Sequence, residues 1–262
     1  MQLILLAGGQ GSRLGPLTYA NNKHFLPIHN KPMLFFPLSI GLLAGCDNVI
    51  VVTSRDYSDS MDKLIQSFPK SRVKFNIAEQ NEASGVTDAI ACALPFARKE
   101  PALVILGDNF LYGNSLPKLF TDAYRNCIET DKTQIFTQRR KDYEEFGVVK
   151  NCGDTVEFVE KPTREKAEEL VIIGTYILDK QTLFNAPRIL TVSERDEIEI
   201  TSLLSHAANS VGVTVNELGQ GVVWSDMGTI ERMQDTSALV RSLESLTTRE
   251  LANIPGILEL YR

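Results

Sequence analysis

The opening of the chain limits the fold most: an apolar run at residues 3–7 breaks into Gly8, Gly9, Gln10 and Gly11. An unbroken apolar run bounded by glycine suits a strand covered on both faces, because a half-exposed strand alternates apolar and polar residues. Three more short apolar runs, at 49–52, 73–77 and 103–106, repeat the pattern and are separated by segments with helical spacing. Residues 33–44 are nearly all apolar, Met61, Ile65 and Phe68 recur at spacings of four and three, and 86–97 reads as a further helix with Ser84 available to cap it. Strands alternating with helices imply an α/β fold with an open, mostly parallel, Rossmann-like sheet.

From about residue 134 the pattern changes to shorter, partly alternating strands at 135–137, 147–150, 155–159 and 171–178. Helices follow near 181–185 and 200–208, then strands near 213–218 and 222–224 and a long helix over 230–246. No linker or repeat interrupts the 262 residues, so the economical reading is one domain carrying a small β-rich subdomain on its sheet. A net charge of −6 provides no basic field for nucleic acid or an anionic membrane, so neither partner is expected, and any cations for phosphate must be placed locally. No run approaches the roughly 18 apolar residues of a membrane span. The opening run is also shorter than a signal peptide's and lacks its basic start, which gives a cytoplasmic location as the expectation. Cys46, Cys92, Cys127 and Cys152 form no C-x-x-C pair, and His24, His29 and His206 are scattered, so no zinc or redox site is expected.

The loop after the first strand, Leu6-Ala7-Gly8-Gly9-Gln10-Gly11-Ser12-Arg13-Leu14, lets main-chain N–H groups approach phosphate oxygens, and Arg13 adds a cation. No Gly-Lys-Ser/Thr follows, so it is not a Walker loop. A dinucleotide fingerprint fails too, because Leu14 stands where a third glycine belongs and Lys31 where an acid for the ribose would stand. Rather, the string resembles the L-A-G-G-x-G-[ST]-R-L signature of the sugar-1-phosphate nucleotidylyltransferases. Lys23-His24-Phe25-Leu26-Pro27-Ile28 and Lys31-Pro32-Met33 continue the likeness, which is greatest to the glucose-1-phosphate thymidylyltransferases and runs from Leu3 to about Tyr261.

This resemblance implies nucleotidyl transfer from dTTP or UTP to a sugar 1-phosphate, with Mg2+ as cofactor and a homo-oligomeric assembly. It implies a nucleotide-binding core at 1–133, a sugar-phosphate-binding part at 134–228 and a helical segment at 229–262. Leu6, Gly8, Gly9, Gly11, Ser12 and Arg13 would wrap the triphosphate, with Lys23 as a second cation. Gln80 and Gly85 would read the base, since an amide can match an imide edge at the end of a parallel strand. The family's G-L-A-x-A reads Gly85-Val86-Thr87-Asp88-Ala89 here.

Asp108 and Asp226, from strings resembling the family's G-D-N and W-x-D-x-G, would share the metal; Arg13, Lys23, Asp108 and Asp226 form the catalytic set. Asn109, Gly147, Glu160, Lys161, Ile173 and Arg195 would hold the sugar phosphate, although the family's R-G-E is Arg195-Asp196-Glu197 here. A metal-dependent glycosyltransferase is disfavoured because the chain has no Asp-x-Asp. Another triphosphate, a phosphorylated acceptor other than glucose 1-phosphate, and a nucleotide-sugar-binding regulatory homologue remain the alternatives.

Overall fold

The computed structural model describes residues 1–82, 84–152, 155–189 and 198–262. Its first half contains β1 (Gln2–Ala7), β2 (Pro27–Ile28), β3 (Lys31–Pro32), α1 (Phe35–Leu43), β4 (Asn48–Ser54), α2 (Ser58–Gln66), β5 (Lys74–Gln80), α3 (Val86–Ala93), β6 (Ala102–Leu106), β7 (Asn109–Gly113) and α4 (Leu116–Thr130). The second half adds β8 (Thr133–Arg140), β9 (Gly147–Cys152), β10 (Thr155–Glu160), β11 (Glu169–Leu178), α5 (Lys180–Asn185), α6 (Ile200–Ser210), β12 (Val213–Glu217), β13 (Val222–Asp226), α7 (Ile230–Thr247) and α8 (Ile254–Glu259).

The parallel core runs β6-β1-β4-β5, with Leu3 opposite Val49 on one side and Leu103 on the other. Alternate side chains of β1 enter different cores, Leu3, Leu5 and Ala7 on one face and Ile4 and Leu6 on the other, which is why the run reads as continuously apolar. The first face packs Leu38 and Leu42 of α1 with Phe120 and Cys127 of α4; the second packs Ala89 and Ile90 of α3 with Leu203 and Leu204 of α6. Each such aliphatic side chain, fully withdrawn from water, contributes on the order of 1.5–3 kcal/mol.

The chain winds outward from β1 through β4 to β5 and then returns to β6 on the other side of β1, which makes a switch point beside the first strand. Crevices at such points, beyond the carboxyl ends of the strands, are where ligands bind in open α/β sheets. The β-rich part extends this same sheet: β11 pairs antiparallel with β6, and β8, β9, β10 and β12 continue from it. The register of β11 on β8 breaks between Ile172 and Tyr176, where Gly174 takes φ 67° and a Cβ would strike Leu106.

Most element boundaries lie close to those expected. β5 ends at Gln80, the residue expected at its close. Ser84 does not cap α3: Gly85 is the capping residue, and the Ser84 hydroxyl turns to the Glu82 carbonyl at 3.5 Å. Neither β7 nor α4 is among the expected elements, although Leu116, Phe120, Ala123 and Cys127 lie on the buried face of α4 at helical spacing. Cys46 and Cys127 are buried free thiols and Cys92 is half-buried. Among the described residues, no helix is long and apolar enough to cross a membrane.

Candidate active site

A cleft of about 600 Å3 opens over the carboxyl ends of β1, β5 and β6 and reaches across to β9, β10 and β11. Every candidate residue within the described part of the chain lines it; Arg195 lies outside the described residues. The wall formed by the glycine loop depends on close approach. Gly11 adopts φ 71°, and a Cβ there would press on Lys23 and Thr18 at 3.0 Å, while one on Gly9 would meet the Lys23 side chain at 3.3 Å. The loop is tied to the strand by Asn22, whose amide donates to the Ala7 carbonyl at 3.2 Å and accepts from the His24 main chain at 2.9 Å.

Lys23 reaches under the loop to an ion pair with Asp108, both side chains being almost buried. Burial alone would raise the Asp108 pKa, but the Lys23 ammonium outweighs it, and the carboxyl is held below its ordinary value. Asp226 is placed beside it by the β7–β13 ladder, in which Asp226 stands opposite Asn109, and by the Met227 N–H donating to the Asp108 carbonyl at 2.9 Å. Burial first, and then the Asp108 charge, push the Asp226 carboxyl up from its ordinary value.

Two neighbouring buried carboxyls, of which the Asp108 charge raises the cost of ionising Asp226, form a site that favours added positive charge. Magnesium takes one or two carboxylates together with phosphate and water oxygens, so Asp108 and Asp226 fit such an ion. Among the described residues no cluster of three or more His, Cys, Asp or Glu forms a complete protein cage. His24 also faces the cleft, but burial, followed by the Lys23 charge, lowers its pKa to about 3, so it stays neutral and serves structurally.

Arg13 spans the outer edge, 3.6 Å from Asp226 Oδ2 and 3.8 Å from Glu145 Oε2. Arg232, third residue of α7, grips the same two acids from behind, at 3.5 Å to Asp226 and 2.9 Å to Glu145, and also reaches Asp142 at 3.2 Å. Glu145 and Arg232 were not legible as site residues, since a single acid before Phe146 and a single base in a long helix read as surface charges. Packing gives them away: the Arg232 guanidinium lies 5.2 Å over the Phe146 ring, which itself meets Trp224 edge-on at 5.1 Å.

On the opposite wall, Gly147 stands across from Glu160 in the β9–β10 hairpin, and a Cβ on it would lie 3.3 Å from Glu160 Oε2. Lys161 follows with φ 41°, its N–H donating to the Phe146 carbonyl at 3.0 Å, a left-handed position uncommon for a side-chain-bearing residue. Its ammonium is exposed and makes no ion pair with a described residue. Ile173 contributes wall, but the Asn109 amide is engaged within that wall: its nitrogen donates to the Ile173 carbonyl and to Thr175, and its oxygen accepts from Trp224 Nε1 at 3.2 Å. Asn109 thus shapes the cleft through its neighbours.

At the β5 end, the Gln80 amide nitrogen donates to Asp88 at 2.8 Å and to the Gly85 carbonyl at 3.2 Å. Gly85 has φ 118°, and a Cβ there would fall 2.5 Å from the Ile198 carbonyl oxygen. Thr87 explains one departure from the family string, because its hydroxyl donates to the Glu199 carbonyl at 3.0 Å and fastens the same segment to α3.

Residues 2–242 match the sequence model of the nucleotidyl transferase family. A glucose-1-phosphate thymidylyltransferase of Neisseria meningitidis is 30% identical over 259 residues, covering 98% of this chain and 88% of the relative. One of Mycolicibacterium smegmatis is 32% identical over 246 residues, covering 93% and 83%. A solved structure described as a glucose-1-phosphate thymidylyltransferase from Bacillus anthracis in complex with a sucrose superposes with a TM-score of 0.77 at 28% identity, covering 92% of this chain and 95% of that one. A UDP-glucose pyrophosphorylase with UDP-glucose, at 22% identity and a TM-score of 0.77, covers 92% and 98% and shares the fold.

Proposed function

Because this chain belongs to the nucleotidyl transferase family, we propose that it joins a pyrimidine nucleoside triphosphate, dTTP or UTP, to a sugar 1-phosphate, releasing pyrophosphate and a nucleotide sugar. The observation that carries the proposal is the division of cations within one cleft. Arg13, Lys23 and the glycine loop gather on one wall and Lys161 on the other, with Asp108 and Asp226 beside the first group. Such a layout suits two phosphorylated reactants brought together, as transfer between a triphosphate and a sugar phosphate requires.

The attacking group is a phosphate oxygen, anionic at neutral pH, so the reaction needs no strong general base; the neutral His24 is consistent with that. The oxygen attacks the α-phosphorus in line, the bond from that phosphorus to the bridging oxygen breaks, and pyrophosphate leaves on the far side. Rate enhancement then comes from holding two anions together and from stabilising charge moving onto the leaving group. Main-chain N–H groups of the loop and Arg13 serve the triphosphate, and Lys161 serves the sugar's phosphate.

Asp108 and Asp226 would hold a magnesium ion, which when bound supplies charge neutralisation at the phosphates. Lys23 pairs with Asp108, and with a cation held by Asp108 its ammonium would be available to a phosphate oxygen. Arg13 has the same choice, since a triphosphate competes with Glu145 and Asp226 for its guanidinium. Incubation with magnesium, each of a panel of triphosphates and each of a panel of sugar phosphates tests the proposal. Pyrophosphate is expected only when a uracil or thymine triphosphate and a sugar 1-phosphate are both present; its absence with every pair refutes the reading.

A further inference from the structure

We infer that Asp88, which does not line the cleft, sets the base specificity of the site by fixing which end of the Gln80 amide faces the nucleotide. The inference rests on the transferase reading for its ligand. An amide side chain turned by half a revolution exchanges donor for acceptor at almost no cost in shape, so its orientation follows from its partners. Gln80 has two at one end, the Asp88 carboxylate at 2.8 Å and the Gly85 carbonyl at 3.2 Å. Both only accept hydrogen bonds. The NH2 must therefore face them, and turning the amide would set its oxygen against a carboxylate oxygen and a carbonyl oxygen together.

The other end follows. Gln80 Oε1 is directed toward Gly8 of the phosphate loop, where a Cβ would come within 2.6 Å of it, and no described residue donates a hydrogen bond to it. Gln80 is 4% exposed and lines the cleft. The oxygen is thus the end of the amide left to accept from a ligand in the cleft, and a ligand N–H fits it. Uracil and thymine carry such a group, the imide N3–H. Cytosine has an unprotonated N3 at the same place, so a cytosine ring seated alike sets one lone pair against another.

Asp88 is held to this task by its own position. It lies in the first turn of α3, where the helix N-terminus stabilises a carboxylate. Glycine at 85 allows the carbonyl to join it, because any side chain there would strike the Ile198 backbone. In the family string this position is the unspecified one, so nothing in the motif marks it.

The test compares UTP with CTP in the wild type, Asp88→Ala and Asp88→Asn, both by kcat/KM with glucose 1-phosphate and by calorimetric binding of each triphosphate with magnesium. The two substrates report on the same folded protein, so a partly unfolded variant cancels in their ratio. The wild type should prefer UTP by on the order of 10², the effect of an unpaired polar group in a site built for a hydrogen bond. Asp88→Ala leaves the amide one partner and lets it turn for cytosine, so the ratio should fall to about tenfold or less. Asp88→Asn can still present an oxygen to the amide and should keep the ratio within about threefold of the wild type.

Equal use of UTP and CTP by the wild type, or an unchanged ratio in Asp88→Ala, overturns the inference. Turnover with a flat base ratio would leave the transferase reading standing. A protein that transfers nothing, yet binds UTP over CTP in a ratio that Asp88→Ala collapses, would support the lock and sink the transferase reading.

Discussion

Replacing Lys23 by Met keeps the side-chain stem that fills the space beneath Gly9 and Gly11 and removes the charge that neutralises Asp108. The pair is nearly buried, at 12% and 11% side-chain exposure, so solvent screens it little. Breaking a buried pair by removing one partner costs about 3–5 kcal/mol, because the remaining charge is left uncompensated. Asp108 can take up a proton, which relieves part of that, so the lower figure of about 3 kcal/mol applies. At about 2–4 °C per kcal/mol for a chain of this size, Tm should drop by about 6–12 °C near neutral pH.

The pH dependence carries a sign. In the wild type the folded Asp108 pKa is depressed, so its contribution is present above the unfolded value near 3.9 and disappears as pH falls through the folded value. In Lys23→Met burial acts unopposed and raises the folded value, so the penalty is absent in acid and grows as pH rises. The gap between the two proteins should therefore widen from pH 4 to pH 8. Thermal unfolding in the presence of a chelator measures it, and Lys23→Met with Asp108→Asn should regain more than half of the lost stability. A drop under about 2 °C that does not change with pH would show that the pair carries no such energy.

Asp108→Asn and Asp226→Asn should each cost on the order of 10² in turnover, with the double variant little worse than the worse single and raised magnesium partly restoring each, if both hold one ion. Steady-state rates across a magnesium titration decide this; multiplicative losses without rescue would separate the two aspartates. Lys161→Ala should raise the sugar-phosphate KM by ten-fold or more on the order expected for a lost charged hydrogen bond, and leave calorimetric triphosphate affinity unchanged. Collapse of triphosphate affinity instead would give Lys161 to the other substrate. Gly85→Ala should lower stability by about 1–3 kcal/mol through its φ of 118° and the contact with Ile198, read as a loss in chemical denaturation midpoint without a change in slope.

Much of the cleft was legible because its residues come in strings at strand ends, where neighbours in sequence remain neighbours in space. Gly8 to Arg13, Asp108 with Asn109, and Glu160 with Lys161 each follow or end a strand, and the sheet order brings those ends together. What escaped sequence reading are contacts between elements that no local pattern encodes. Arg232 meets Asp226 and Glu145 only because the first turn of α7 folds back across the end of β13. Asn109 reads as a binding residue from its motif, whereas Trp224 and the β11 bulge engage its amide. Gln80 is visible as an amide, but its polarity depends on Asp88, eight residues further on in a helix.

Label tracing tests the central claim most directly. UTP labelled with 32P at the α or at the γ position is incubated with magnesium, glucose 1-phosphate and the protein, and the products are separated. Nucleotidyl transfer places the α label in the nucleotide sugar and the γ label in pyrophosphate, each requiring the acceptor. Label from the γ position in the acceptor or in free phosphate, or products formed without glucose 1-phosphate, would mean that a different phosphorus is attacked and would contradict the account.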